Sequence, residues 1–409
     1  MSVAGAASSV AAQEAAQATT GGYRPESEEE LAGIIRAAGR EGRPLRVIGG
    51  GTRDIGHPVT GTPLRMGALS GIRLHEPGAL TLVVGAGTPL AEVEAALAAE
   101  GQRLPFEPWD GRALHGTGGT PTIGGVVAVN ASGPRRVAVG ACRDSLIGLR
   151  FVDGTGEVVR SGGRVMKNVT GLDLVRLLCG SHGTLGVLTE VAFKVLPAPA
   201  TTVTLAFDGL TEAQALAAMT LALGTPCEVT GAAHVPKGIG DGPVTLLRIE
   251  GFASQVEYRA ERLSAALANW GTPRLVEGEG DWPAIRDVRP FAGREGDVWR
   301  FSVKPSDGPA LAASLRRIAP GAEVIHDWGG GLVWALVPEH TYGREALRGM
   351  AGHASLVRAS PAVKARMGVF HPQPAPLARI EAGLRARFDP GGVLNPGRMG
   401  GRADMGKAV

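Results

Sequence analysis

Cysteine is scarce in this chain, with Cys142, Cys179 and Cys227 the only thiols in 409 residues. The number is odd and no spacing suits a metal-ligand pair. This argues against a disulfide framework and against an iron–sulfur cluster held by this chain, and it fits a reducing compartment. Aromatic residues are few, at 4%. No apolar run reaches the roughly 18 residues that a membrane-spanning helix requires. A surplus of one charge is missing as well: the net charge is +3, and arginines are interleaved with acids without basic blocks. Neither a nucleic acid nor an anionic membrane is implied as a partner. Residues 1–22 are rich in Ala, Ser, Gln and Thr, and they show no basic residue before Arg24 and no apolar core segment. They read as a disordered extension and not as a secretion signal.

Glycine, in contrast, is abundant, with 62 residues. Gly49-Gly50-Gly51-Thr52 follows the apolar run Leu45-Arg46-Val47-Ile48, and Thr122-Ile123-Gly124-Gly125 and Gly180-Ser181-His182-Gly183-Thr184-Leu185-Gly186-Val187 lie downstream. Without a Cβ, such turns bring backbone N–H groups close to phosphate oxygens, so three of them in one half suggest a cradled phosphate cofactor. A dinucleotide fingerprint needs a helix opening directly at the glycines, yet Arg53-Asp54-Ile55-Gly56-His57-Pro58 follows as a loop, in which His57 is expected to cap a turn. A P-loop fails too, because no Lys-Ser or Lys-Thr pair follows a glycine at the required spacing.

Ser27-Glu28-Glu29-Glu30 looks like a capping box, and Leu31, Ile34, Ile35 and Ala38 form one helical stripe. Strands are expected over Leu45 to Ile48, Leu80 to Val84 and Val187 to Leu196. A helix is expected from Leu90 to Glu100, closed by Gly101, and a hairpin from Leu146 to Arg160 around Asp153-Gly154-Thr155-Gly156. Pro197-Ala198-Pro199 punctuates the chain. Beyond it, strands at Thr202 to Phe207, Val244 to Glu250, Trp299 to Val303 and Leu332 to Val337 alternate with helices Glu212 to Leu223 and Ser254 to Ala268, which suits helices packed on an antiparallel sheet. A last helix covers Leu377 to Arg387. The expected organisation is therefore α+β, with an extension over 1–22, a nucleotide-binding domain over 23–197, a second domain over 198–375 and a C-terminal segment over 376–409.

Taken in order, Gly49 to Thr52, Gly85-Ala86-Gly87-Thr88, Thr122 to Gly125, Ser132-Gly133-Pro134 and Gly183 to Glu190 resemble the FAD-binding domain of the vanillyl-alcohol oxidase and p-cresol methylhydroxylase (PCMH) superfamily. Asp389-Pro390 and Leu394-Asn395-Pro396-Gly397 look like the closing segment of its 2-hydroxyacid dehydrogenase branch. Gly133-Pro134-Arg135-Arg136, Arg143-Asp144, Val165-Met166-Lys167-Asn168-Val169-Thr170-Gly171-Leu172-Asp173-Leu174 and Gly180 to Gly183 are similar to the FAD-binding subunits of bacterial glycolate oxidases. The resemblance implies two α+β subdomains around FAD and a reduced cap. Gly49, Gly50, Gly51 and Thr52 would hold the pyrophosphate, and Thr122, Ile123, Gly124 and Gly125 would line the flavin side. Gly133, Gly140, Gly183, Gly186 and Val187 would complete the channel, and Asn395 would bring the tail back to the flavin. Thr52 stands where flavinylated relatives carry His, which implies noncovalent FAD.

The same resemblance implies oxidation of glycolate, or another small 2-hydroxy acid, beside a larger FAD-containing catalytic subunit. An iron–sulfur subunit would pass electrons to an acceptor such as quinone. The expected location is cytoplasmic, with membrane contact only through partners. Such chemistry needs a cation for the carboxylate and a base for the hydroxyl proton. Arg135, Arg136, Arg143 and Lys167 could bind carboxylate or flavin phosphate, or lie on the surface or at a subunit contact. His182 is the histidine that the motif places near the flavin, and so the candidate base; satisfying local hydrogen bonds is the alternative. Relatives with a catalytic cap carry a clustered His-Gly-Asp-Gly-Asn-His type motif. Here His326-Asp327-Trp328-Gly329-Gly330-Gly331 keeps one His and one Asp, so no metal site is expected. That departure leaves open a structural subunit without its own turnover, or a self-sufficient oxidase for another hydroxy acid. Trp282, Trp299, Trp328 and Trp334 read as core anchors before flavin-stacking groups.

Overall fold

The computed structural model describes residues 21–163, 171–240 and 242–400. The expected N-terminal extension up to residue 20, and the motif residues Val165 to Thr170 including Lys167, lie outside the described residues.

Ser27 opens helix α1 (Glu28–Glu41): its side chain accepts from the Glu30 N–H, and three glutamates occupy the first turn, at the positive end of the helix dipole. Leu31, Ala32, Ile35 and Ala38 are buried along one stripe, and Gly42, with φ 62°, ends the helix in the left-handed conformation. Strands β1 (Leu45–Ile48) and β2 (Thr62–Arg65) pair in parallel. There follow β3 (Ile72–Glu76), β4 (Thr81–Gly85), helix α2 (Leu90–Ala99), the short helices α3 (Ile123–Ala128) and α4 (Arg136–Val139), β5 (Leu146–Val152), β6 (Val158–Gly162) and β7 (Val187–Lys194). Their sheet has the order β3-β4-β7-β5-β6 and is antiparallel throughout. In the β5–β6 hairpin, the Asp153 carboxylate accepts from the amides of Thr155 and Glu157, an Asx turn.

The second sheet comprises β8 (Thr201–Asp208), β9 (Val229–Val235), β10 (Val244–Gly251), β11 (Arg274–Glu277), β12 (Asp297–Val303), β13 (Glu323–Asp327), β14 (Leu332–Val337) and β15 (Gly352–Arg358). Helices α5 (Glu212–Leu223), α6 (Ala253–Ala266) and α7 (Gly308–Ile318) interrupt the strands, and α8 (Ala375–Phe388) follows them. The strand order is β11-β8-β10-β9-β13-β14-β12-β15, again antiparallel.

Alternation along these strands gives the sheet two different faces. On the outer face, Leu205, Phe207 and Leu247 meet Met219 of α5 and Leu263 of α6, while Trp299, Phe301 and Val333 meet Leu311 and Leu315 of α7. On the inner face, Leu246, Val298 and Trp334 share one core with Leu82, Val84, Phe151 and Phe193 of the five-stranded sheet. The same alternation puts Arg248, Glu250, Arg300 and Asp327 at the junction of the two sheets. Among the described residues no helix is long and apolar enough to cross a membrane.

Candidate functional site

The turn after β1 presses directly on the loop before α3. A Cβ on Gly50 would lie 1.6 Å from the Thr120 carbonyl oxygen, and one on Gly119 would lie 1.8 Å from the Gly50 oxygen, so the two backbones meet where only glycine fits. Among the described residues, no backbone oxygen accepts from the N–H of Gly50, Gly51 or Thr52. These donors remain available to an anion.

A second wall is α3. Thr122 caps it, accepting from the Gly125 N–H at 3.3 Å, and the N–H groups of Ile123 and Gly124 donate to the Thr88 and Ala86 oxygens at 3.0 and 2.8 Å. The third wall runs from Ser181 to Leu188. The returning tail is the fourth: Asn395 Oδ1 accepts from the Val47 N–H, and its Nδ2 donates to the His182 oxygen, both at 2.8 Å. The Asp389 carboxylate fixes that tail by accepting from the N–H groups of Val393 and Leu394 at 3.1 and 2.8 Å. His182 and Asn395 both hold left-handed backbone, with φ of 54° and 43°. Such conformations in non-glycine residues persist where the surroundings enforce them.

Between these walls lies a cleft open to solvent. Gly49, Thr122, Gly124, Gly125, Gly183, Gly186, Val187 and Asn395 line it, as does His182. Val47, Met66, Ala128 and Leu188 also face it; Leu188 lies within the Gly183 to Glu190 motif, and the others are ordinary apolar residues without a motif signal. Gly50, Gly51, Thr52 and Ile123 stand outside this lining, and Ile123 belongs to the core. Gly133 and Gly140 also stand outside it. A Cβ on Gly133 would meet the Glu107 oxygen at 2.4 Å, and Gly140, at φ 82°, lies against the Asp144 carboxylate that accepts from the Ala141 N–H. Among the described residues, no acidic residue, Lys or Arg lines the cleft. The walls also leave little slack: a Cβ on Gly49 would come within 2.5 Å of Thr122 Oγ1, and one on Gly124 within 2.7 Å of the Ala86 oxygen. A cradle of bare backbone with unclaimed amides fits a dinucleotide such as FAD.

The His182 ring packs edge-on against Phe370, with centroids 5.0 Å apart. Burial, and then the charge of Arg398, push its pKa down to about 3 against the pull of the Ile55 backbone. The imidazole is therefore neutral and a weak base at physiological pH. His57 links distant segments. Its N–H donates to the Arg398 oxygen at 2.9 Å, and its Nε2 accepts from the Val369 N–H at 3.3 Å, so it ties together segments distant in sequence.

The candidate arginines separate sharply. Arg135 joins a buried network at the sheet junction: its Nη2 lies 2.7 Å from Glu250 Oε1, Arg248 Nη1 lies 3.0 Å from Glu107 Oε1, and Arg103 Nη1 lies 2.7 Å from Glu250 Oε1. Burial works to raise both carboxyl pKa values, but the guanidiniums prevail and hold Glu107 and Glu250 below the usual range. Arg143 is exposed beside Asp144, at 3.9 Å. Arg136 instead lies over the Trp328 ring, 4.5 Å from its centroid.

The two acid–base residues of the reduced cap motif are parted by strand geometry. His326 faces outward, its Nε2 2.7 Å from Glu212 Oε1, whereas Asp327 faces the sheet junction and accepts from the Trp328 N–H at 2.7 Å. Consecutive strand residues point to opposite faces, so the pair cannot converge on one ion. Among the described residues no three His, Cys, Asp or Glu side chains do so. Trp282 and Trp299 are fully buried, and Trp282 Nε1 donates to Thr204 Oγ1 at 2.9 Å; both are core anchors.

Residues 21–162 match the family described as "FAD binding domain". The chain is 37% identical to the glycolate oxidase subunit GlcE of Escherichia coli (strain K12) over 361 residues, covering 87% of this chain and 92% of that one. It is 32% identical to the glycolate oxidase subunit GlcD of Bacillus subtilis (strain 168), over 44% of this chain and 38% of that one. Its fold superposes on p-cresol methylhydroxylase with a TM-score of 0.67 at 15% identity, covering 93% of this chain and 88% of that one. With likeness to GlcE across nearly the whole of both chains, this chain belongs to the GlcE family of FAD-binding oxidoreductase subunits, on the PCMH-type fold.

Proposed function

We propose that this chain is the FAD-binding subunit of a glycolate oxidase (glycolate dehydrogenase) complex, which oxidises glycolate to glyoxylate. It works beside a larger FAD-containing subunit and an iron–sulfur subunit that passes electrons to an acceptor such as quinone. The observation that carries this reading is the glycine-walled cleft on a chain alike to GlcE over 92% of that relative's length. FAD, when bound, supplies the two-electron acceptor for the hydride leaving the hydroxyl-bearing carbon. The residues of this chain bind and orient. Gly50, Gly51 and Thr52 offer amides to the pyrophosphate, Thr122 and Gly125 set the mouth of α3, and Asn395 locks β1 to the His182 loop. The buried Thr52 provides no imidazole for a covalent link, so FAD is held noncovalently. His182 is a positioning residue, because its ring is engaged by Phe370 and its carbonyl by Asn395.

The parting of His326 from Asp327 favours a second reading, a subunit that keeps the fold and FAD but organises the complex without its own turnover. Gly50→Val with Gly124→Val, in the purified complex, separates the two. The expected result is loss of this chain's FAD together with glycolate turnover. Loss of the flavin with turnover unchanged supports the organising role, and full FAD content in the double variant overturns the assigned cleft.

A further inference from the structure

Arg136 and Arg300 differ from the other arginines at the sheet junction. Arg103, Arg135 and Arg248 are matched by Glu107 and Glu250. Arg136, on α4, and Arg300, on β12, are half-buried, and among the described residues neither guanidinium has a carboxylate at ion-pair distance or a hydrogen-bond acceptor. Both lie against the same indole: Trp328 has its ring centroid 4.5 Å from Arg136 Cζ and 5.1 Å from Arg300 Cζ, and Trp334 stands 5.8 Å from Arg300. The Trp328 Nε1–H donates to the Gly133 oxygen at 3.1 Å, which pins the indole to the segment leading into α4. Trp328 itself holds left-handed backbone, with φ 52°.

Among the described residues the surplus charge meets no carboxylate at ion-pair distance, and Asp144 reaches Arg136 only through its field. Burial, then the charge of Arg136, lower the Arg300 pKa to about 10, so it stays protonated at neutral pH. Asp327, the acid whose field reaches Arg300, makes no ion pair with it, and burial raises its own pKa to about 7. His353 is held below its usual range by burial and by the same two arginines, and is neutral. Indole faces compensate a desolvated cation only in part. Two such cations against one indole, each within the other's field, call for an anion, and a carboxylate has the flat, two-oxygen geometry that a guanidinium fork matches.

We propose that Arg136 and Arg300, set against Trp328, form a binding site for a small carboxylate. One arginine comes from each side of the junction, so the ligand would tie the eight-stranded sheet to the flavin-side segment. The identification of that carboxylate with the 2-hydroxy acid substrate or its 2-oxo product rests on the function proposed above; the site itself does not.

The test is titration of oxalate into the purified full chain, followed by calorimetry and by tryptophan fluorescence. Saturable binding is expected. It should weaken at least about tenfold in Arg136→Gln and in Arg300→Gln, and less in Arg300→Lys, which keeps the charge but loses the fork. Arg274→Gln, on an exposed arginine paired with Asp208 at the far edge of the sheet, should leave it unchanged. Arg136, on a short surface-facing helix, and the conservative Arg300→Lys keep the test open if Arg300→Gln does not fold. Undiminished oxalate affinity in a folded Arg136→Gln/Arg300→Gln protein overturns the proposal, and so does failure of the wild type to bind millimolar oxalate. FAD content is read on the same samples. Oxalate held by the two arginines in a chain that takes up no FAD would sink the proposed function alone, whereas an FAD-loaded chain indifferent to both arginines would sink the carboxylate site alone.

Discussion

Replacing Asn395 by alanine removes two bonds that join three distant segments, and the loss can be read at one amide. Asn395 Oδ1 accepts from the Val47 N–H, and its Nδ2 donates to the His182 oxygen. Each bond contributes about 0.5–1.5 kcal/mol net. Alanine, unlike asparagine, has no polar side chain to support the left-handed backbone at φ 43°, which adds about 1 kcal/mol. The sum is about 2–4 kcal/mol, a factor of roughly 30 to several hundred in the local opening equilibrium. Native-state hydrogen exchange at Val47 is the assay. In Asn395→Ala the Val47 amide should exchange faster by that factor, while amides in β14 stay unchanged. Asn395→Gly should recover about 1 kcal/mol by relieving the backbone. Asn395→Asp should keep Val47 protected, because one carboxylate oxygen still accepts, but release the His182 loop. Unaltered exchange at Val47 in the alanine variant would refute the clasp.

The buried network gives a second expectation. Glu107→Gln leaves Arg248 and Arg135 short of a counter-charge, and the cost should be about 3–5 kcal/mol in denaturant unfolding; a loss below about 1 kcal/mol would contradict it. Acid should act in two stages. His115 and His234 are pushed down to about 4, chiefly by burial, from an ordinary 6.5, so their contribution is complete above about pH 6.5 and is lost as pH falls to about 4. Glu212 is held at about 2 against its ordinary 4.5, because hydrogen bonds from His326 and Arg316 outweigh its burial, so its contribution fades between about pH 4.5 and 2. Melting temperature against pH should show both declines, with His234→Gln flattening the upper one. A melting temperature independent of pH between 7 and 4 would rule out the upper stage.

Much of this was legible wherever the local chain carries its own instructions. Ser27 and the stripe behind it, β5, α5 and β14 all announce themselves by caps, periodicity or an unbroken apolar run. The glycine turns of the cleft are legible for a related reason: a wall built of backbone leaves its mark as missing side chains. Val229–Val235 shows no strand pattern in sequence because Gly231 and two alanines give no alternation; Gly231 is there because a Cβ would meet the Trp282 ring at 2.8 Å. Helix α7 hides behind Gly308-Pro309, although proline suits a first turn. Arg300 sits in no motif, yet a lone arginine in the apolar run Val298-Trp299-Arg300-Phe301 is a signal, since a charge on a buried strand face needs a reason. The separation of Arg135 from Arg136 had no local signal. It follows from which residues of β10 and β12 happen to lie opposite, and those are more than a hundred positions away.

The clasp at Asn395 also sets a clock on biosynthesis. Val47 and Asn395 are 348 residues apart, so a ribosome adding about 5–20 residues per second needs roughly 20–70 s between making the first edge of the cleft and making the piece that shuts it. During that interval the nascent turn at Gly49 to Thr52 lacks the Asn395 bonds, and if the cleft holds the prosthetic group as proposed, its capture should wait until synthesis has passed residue 395. Slowing translation early in the message should not hasten flavin loading; supplying the tail in trans to a shortened chain should.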